Sequence, residues 1–178
     1  LETIDFAPKI GLNTYMLEFD VPMAYYNLWY SHRHNPFKEP EPLSPDTVRQ
    51  WKRVCETEIA KRGLLFHDMG HGWTGESFGI DTKGGWNAET RTYPEDVMQY
   101  VAMVDGKRSL FGGVPLNTNF CMSNPDARGK VVQYVADYAE NHQNVDFLHI
   151  WLADGTNNHC ECPACAEKTT SDWYIILL

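Results

Sequence analysis

Three cysteines form a C-x-C-x-x-C run at Cys160, Cys162 and Cys165, and a fourth, Cys121, lies upstream. Thiolates are soft ligands, and four of them satisfy a tetrahedral zinc ion in a closed site that is structural rather than catalytic. His159 and Glu161 flank the run and offer replacements for one thiolate. The competing readings are a disulfide with free thiols, as in an exported protein, and thiols with no ligand at all. Just before the run, the apolar segment 145–152 breaks into the turn-forming residues 153–158, which deliver one carboxylate, Asp154, past a strand end. A metal on the cysteines would staple that loop and fix where Asp154 points.

Asp154 is the candidate general acid. Glycoside hydrolysis uses two carboxyl groups facing each other across a bond. The partner could be Glu18 or Asp20 at the first strand end, Asp68 or Glu76 near the second, or a residue beyond the end of this chain. A carboxyl group beside Trp151 and shielded from water would be raised toward the range a proton donor needs. The plainer reading has Asp154 capping its own loop through an Asx turn. His67 and His71 are candidates for hydrogen bonding to substrate. Their i, i+4 spacing points to one metal only on a helix, and this segment reads as strand into turn. A metallohydrolase built on His67, Asp68 and His71 is therefore the weakest reading. Trp73, Trp86, Trp29 and Tyr25 offer faces on which sugar rings stack, and Trp151 and Asn157 border Asp154 as substrate-binding candidates. Aromatic residues are more often simply core. His149 reads as a core histidine and His142 as a favourable helix C-terminal residue.

The elements that must position these groups alternate. A short helix over 1–10 feeds a strand over 12–19. An aromatic, proline-rich stretch, 21–43, reads as a long loop of functional length. Ser44-Pro45 opens a helix to about Arg62, stopped by Gly63, with Val48, Trp51, Val54, Cys55, Ile59 and Ala60 as the buried stripe. A strand over 64–69 turns out through Gly70 to Trp73 into a glycine-rich loop, 74–91. Pro94 opens a helix to about Val104, and 116–122 reads as a weaker strand. Asn124-Pro125 caps a helix to about Asn141, with Val131, Val132, Tyr134, Val135 and Tyr138 inward. The strand over 145–152 follows. Pro163 begins a last helix, with a cap signal at Ser171-Asp172. Alternation of this kind predicts a parallel sheet with right-handed crossovers. A complete barrel of eight βα units needs roughly 250 residues, so these 178 residues would form one domain supplying part of one. Both ends cut across apparent elements, which predicts a piece of a longer chain.

Apolar residues make up 43% and aromatics 13% of the chain, which predicts a packed core rather than disorder. A formal charge of −9 argues against a nucleic-acid backbone as partner. No apolar run reaches the length of a membrane span. Zinc-bound cysteines would suit the cytoplasm and disulfides an exported protein.

The motif Cys121-Met-Ser-Asn-Pro125, followed by Asp154-Gly155 and the run from Cys160 to Cys165, resembles a family of uncharacterised bacterial domains found in large proteins alongside carbohydrate-active modules. The resemblance spans most of the chain. Phe66-His-Asp-Met-Gly-His71 is similar to the Met-Pro-Gly-His turn of the (β/α)8 β-N-acetylhexosaminidases, without its proline. His149-Ile-Trp-Leu-Ala-Asp154 is similar to their His-Ile-Gly-Gly-Asp-Glu strand, and α-glucuronidases are a looser likeness. On that register Asp154 falls on the general acid. Ala153 falls on the carboxylate that orients the substrate acetamido group. The resemblance thus implies a sugar-binding barrel rather than one particular reaction. Two functions follow: acid-assisted glycosidic cleavage, or a non-catalytic carbohydrate-binding or scaffold module with a structural zinc site.

Overall fold

A computed structural model describes residues 1–178. The chain builds two compact units. The first comprises residues 1–70, 83–85 and 142–150. Its centre is a parallel sheet in the order β1 (Thr14–Leu17), β2 (Leu65–Asp68), β5 (Phe147–Leu148). Parallel neighbours cannot be joined by a tight turn. Helix α3 (Pro45–Lys61) lies in the crossover from β1 to β2. The Ser44 hydroxyl accepts from the Thr47 amide at 3.1 Å, Pro45 takes the first helical position, and Gly63 leaves the helix at φ +64°. Ile59 and Phe66 close the core with Ile4, Ala7 and Leu64, Ile4 lying on α1 (Glu2–Phe6). The opposite face of the sheet presents Met16, Leu65 and Phe147, all exposed.

Two sequence expectations fail here, for physical reasons. The stripe of α3 is rotated: Lys52 and Glu56 are buried, while Val54 and Ala60 are exposed. Lys52 Nζ lies 2.7 Å from the fully buried Asp68 carboxylate and 3.5 Å from Glu56, and His142 Nδ1 lies 2.9 Å from Glu56. An unpaired buried charge costs several kcal/mol, so these groups enter the interior only together. The stretch 21–43 is not all loop, because Met23–Tyr30 forms helix α2. Met23 packs with Val21 and Val48, and Tyr26 and Tyr30 lie against Trp51 with centroids 5.6 and 5.7 Å away. On a helix, residues four apart lie on one face, so both rings reach the same partner.

The second unit comprises residues 71–82, 86–141 and 151–178. Asn124 caps α6 (Pro125–Asn141), its side-chain oxygen accepting from the amides of Asp126 and Ala127 at 2.9 and 3.2 Å. Ala127 and Val131 pack with Phe78, Ile80, Val101, Phe120 and Leu177, while Val132 is exposed. Helix α4 (Trp73–Glu76) occupies the start of the expected glycine-rich loop. The helix expected to Val104 ends early, as α5 (Glu95–Met98), and an antiparallel hairpin of β3 (Met103–Val104) and β4 (Lys107–Arg108) follows. Asp105 and Gly106 turn it at φ +50° and +73°, the left-handed pair that a two-residue hairpin requires. The strand expected over 116–122 does not join the sheet. Pro115–Asn117 is a 3-10 turn, and Phe120 bridges antiparallel to Val101 alone. The last helix, α7 (Thr170–Leu177), starts later than Pro163, behind a capping box of Thr169 and Asp172. The architecture is mixed α/β, with one three-stranded parallel sheet and seven helices. No helix is long and apolar enough to cross a membrane.

The buried cluster makes the first unit acid-sensitive. Burial alone would raise the Glu56 carboxyl, but the His142 hydrogen bond and the Lys52 charge outweigh it and hold the group below the ordinary glutamate value. A lowered carboxyl stabilises the fold above its unfolded value, about 4.3, and that contribution is lost as pH falls through the lower folded value. Urea midpoints measured from pH 7 to pH 3 should therefore fall more steeply for the wild type than for Glu56→Gln. Parallel slopes would contradict the assignment.

Candidate functional site

The four cysteines expected to act together do converge, all in the second unit. Cys121, Cys160, Cys162 and Cys165 are buried, and their sulfurs lie within 4.8 Å of one another. Cys121 Sγ is 3.7 Å from Cys162 Sγ and 3.8 Å from Cys165 Sγ. A disulfide holds its sulfurs about 2.05 Å apart, and all five cysteines of the chain are free. A zinc–sulfur bond of about 2.3 Å at tetrahedral angles separates the sulfurs by about 3.8 Å, close to the separations of Cys121 from Cys162 and Cys165. The donor set and its spacing fit a tetrahedral metal.

The surroundings fit as well. The Met103 amide donates to Cys160 Sγ at 3.3 Å, and the Ser123 amide donates to Cys165 Sγ at 3.3 Å. The Ser123 hydroxyl lies 3.4 Å from Cys121, 3.5 Å from Cys162 and 3.1 Å from Cys165. Arg108 Nη2 reaches Cys121 Sγ at 3.7 Å. The Cys160 hydrogen bond holds Cys121 far below the ordinary thiol range, and the same contact, with burial, pushes Cys160 up. A divalent cation would supply the countercharge that lets all four ionise. A cleft of about 410 Å³, bordered by Cys160, Cys165, His159, Glu161, Lys168 and Trp173, opens beside the sulfurs and offers an ion a route in. Cys55 is only half-buried, in the first unit, and takes no part.

No protein-family model, curated protein or solved structure matches the chain.

Asp154 lies in the same unit as the thiols. Its side chain is 56% exposed, with Oδ2 3.5 Å from Nε2 of the buried His71. The shielding from water expected for it is therefore absent. Trp86 and Trp151 both stand edge-on to the His71 imidazole, at 80° and 78°, with centroids 5.8 and 5.2 Å away. These indoles are 50% and 37% exposed. An acid, an imidazole and two accessible indoles thus share one patch. Trp73 does not belong to it. It is 1% exposed and packs edge-to-face on Tyr134 and Tyr138 of α6, so it is core and not a stacking platform. Asn157 is exposed and takes φ +59°, the left-handed conformation a tight turn needs.

The remaining candidates sit in the first unit. Glu18 is exposed, one residue beyond β1. His67 Nδ1 lies 2.9 Å from His149 Nε2, and its ring packs on Phe147 with centroids 4.5 Å apart. Asp68 is bonded to Lys52 and is fully buried. His67 and Asp68 are thus each held by neighbours in the first unit.

Two asparagines missed in the sequence hold the Asp154 loop. Asn119 Oδ1 accepts from the Ala153 amide at 2.9 Å. Asn158 Nδ2 donates to the carbonyls of Asn117 and Asp154, each at 2.8 Å. Both side chains are buried. Removing a buried donor strands its acceptors and costs about 1–3 kcal/mol. Asn158→Ala should therefore speed amide exchange across 153–158 while leaving α6 protected. Unchanged exchange in the loop would show that the asparagine does not hold it.

Proposed function

We propose that the chain is a glycoside-hydrolase-like domain that binds a glycan at the patch of His71, Trp86, Trp151 and Asp154. Its parallel strands would form part of a (β/α)8 barrel. The supporting feature is the sheet itself: helices α1 and α3 cover one face, while the other presents apolar side chains, as a barrel interior must before its remaining strands close over it. Zinc on the four cysteines is the matching cofactor, in a structural role. Soft thiolates at tetrahedral spacing leave no position open for catalysis. Met103, Ser123 and Arg108 would orient those ligands.

The observation that carries the reading is the exposed Asp154 carboxylate beside a buried imidazole and two accessible indoles. Indole faces receive the apolar faces of sugar rings, and an acid with a nearby donor binds hydroxyls. In cleavage, a protonated Asp154 would give its proton to the leaving glycosidic oxygen, with His71 positioning it. Glu18 is proposed as the second carboxyl group that cleavage needs. Ala153 leaves the acetamido-assisted route without its orienting carboxylate, so that route is not proposed.

A second reading, a carbohydrate-binding or scaffold module without catalysis, is favoured by the same Ala153 and by the high exposure of Asp154. The two separate on a panel of aryl glycosides and glucuronides, assayed with the full-length chain. Loss of a general acid costs typically 10²–10⁴-fold, so Asp154→Asn should lower turnover by about that factor, while Trp151→Ala should weaken binding. Turnover unaffected by Asp154→Asn removes the acid. Glycan binding without turnover in the wild type leaves the module.

A further inference from the structure

Arg108 lies outside every group anticipated from the sequence. It sits on β4, opposite Met103 on β3. Its Nη1 donates to the Val101 carbonyl at 2.5 Å, and its Nη2 points to Cys121 Sγ. The hairpin that carries it is fastened to the cysteine loop. The Glu161 amide donates to the Met103 carbonyl at 2.8 Å, and the Asp105 amide donates to the Glu161 carboxylate at 2.9 Å. One short hairpin thus brings both a backbone donor and a fixed positive charge onto the sulfurs.

That charge answers a specific need. Four thiolates and one divalent cation leave a net charge of minus two. Ala102 and the half-buried Met103 and Val104 pack against the cluster. Amide and hydroxyl donors polarise the sulfurs but cancel no charge. A guanidinium keeps its charge at any working pH and holds its donors in a fixed plane, whereas an ammonium is a mobile, strongly hydrated point charge. We propose that Arg108 is the countercharge of the tetrathiolate site and sets how tightly that site holds its metal. It acts as a positioning residue, through Cys121, and never as a ligand. The inference rests on the zinc reading above.

The test uses the whole chain and two neutral variants: Arg108→Gln, and Arg108→Met, whose unbranched stem keeps the packing. Zinc affinity is read by competition with a chromophoric chelator, and the cobalt(II)-substituted protein reports the thiolate-to-metal charge-transfer band. Loss of an outer partner of a metal site weakens binding about 10–100-fold. Both variants should show a loss of that size, a charge-transfer band moved to longer wavelength as Cys121 becomes more electron-rich, and an unchanged far-ultraviolet spectrum when metal-loaded. Arg108→Lys should recover part of the affinity. Wild-type affinity with an unmoved band in whichever neutral variant folds overturns the role of Arg108 and leaves the zinc reading standing. A wild type that takes up neither zinc nor cobalt overturns both.

Discussion

Four thiolates cannot share one buried cluster unless something cancels their charge. The second unit brings Cys121 from the segment before α6 together with three cysteines from the segment before α7. Few other contacts in this region come from regular structure. The cysteine run holds one 3-10 turn, and the hairpin clasping it has two residues in each strand. Elements so short are not stable alone. On the proposed reading, a metal on the four thiolates would do there the work that a longer sheet or a larger apolar cluster does elsewhere.

The same region frames Asp154. The loop over 153–158 is held on one side by buried asparagine side chains. Six residues beyond Asp154 the chain enters the sulfur cluster at Cys160. A loop fastened at both ends can hold an exposed carboxylate in one place without burying it. Pre-organisation of this kind suits binding as well as catalysis. On the proposed reading it also separates the two jobs, since the sulfurs would set geometry and the patch of His71, Trp86 and Trp151 would meet the ligand.

Much of this was legible in the sequence, and the failures share a cause. Ser44-Pro45 and Asn124-Pro125 marked both long helices because capping is local chemistry. The cysteine spacing marked the cluster because ligand geometry is local too. The buried stripe read for α3 left out Lys52 and Glu56 because periodicity counts apolar residues, and burial of a charge depends on partners far along the chain, here Asp68 and His142. Val97, Tyr100, Val101 and Val104 have helical spacing, yet Asp105-Gly106 was the stronger signal and ends the helical run in a hairpin. Trp73 was read as a platform because sequence does not distinguish an indole facing Tyr134 from one facing solvent. Asn119 and Asn158 gave no sign, since an asparagine that bonds a distant loop looks like any other.

The most direct measurement is zinc K-edge X-ray absorption on the purified full-length protein. Four sulfur neighbours at about 2.3 Å and no nitrogen or oxygen neighbours are expected of a closed thiolate site. A shell containing nitrogen or oxygen, or protein that retains no zinc after dialysis, would contradict it.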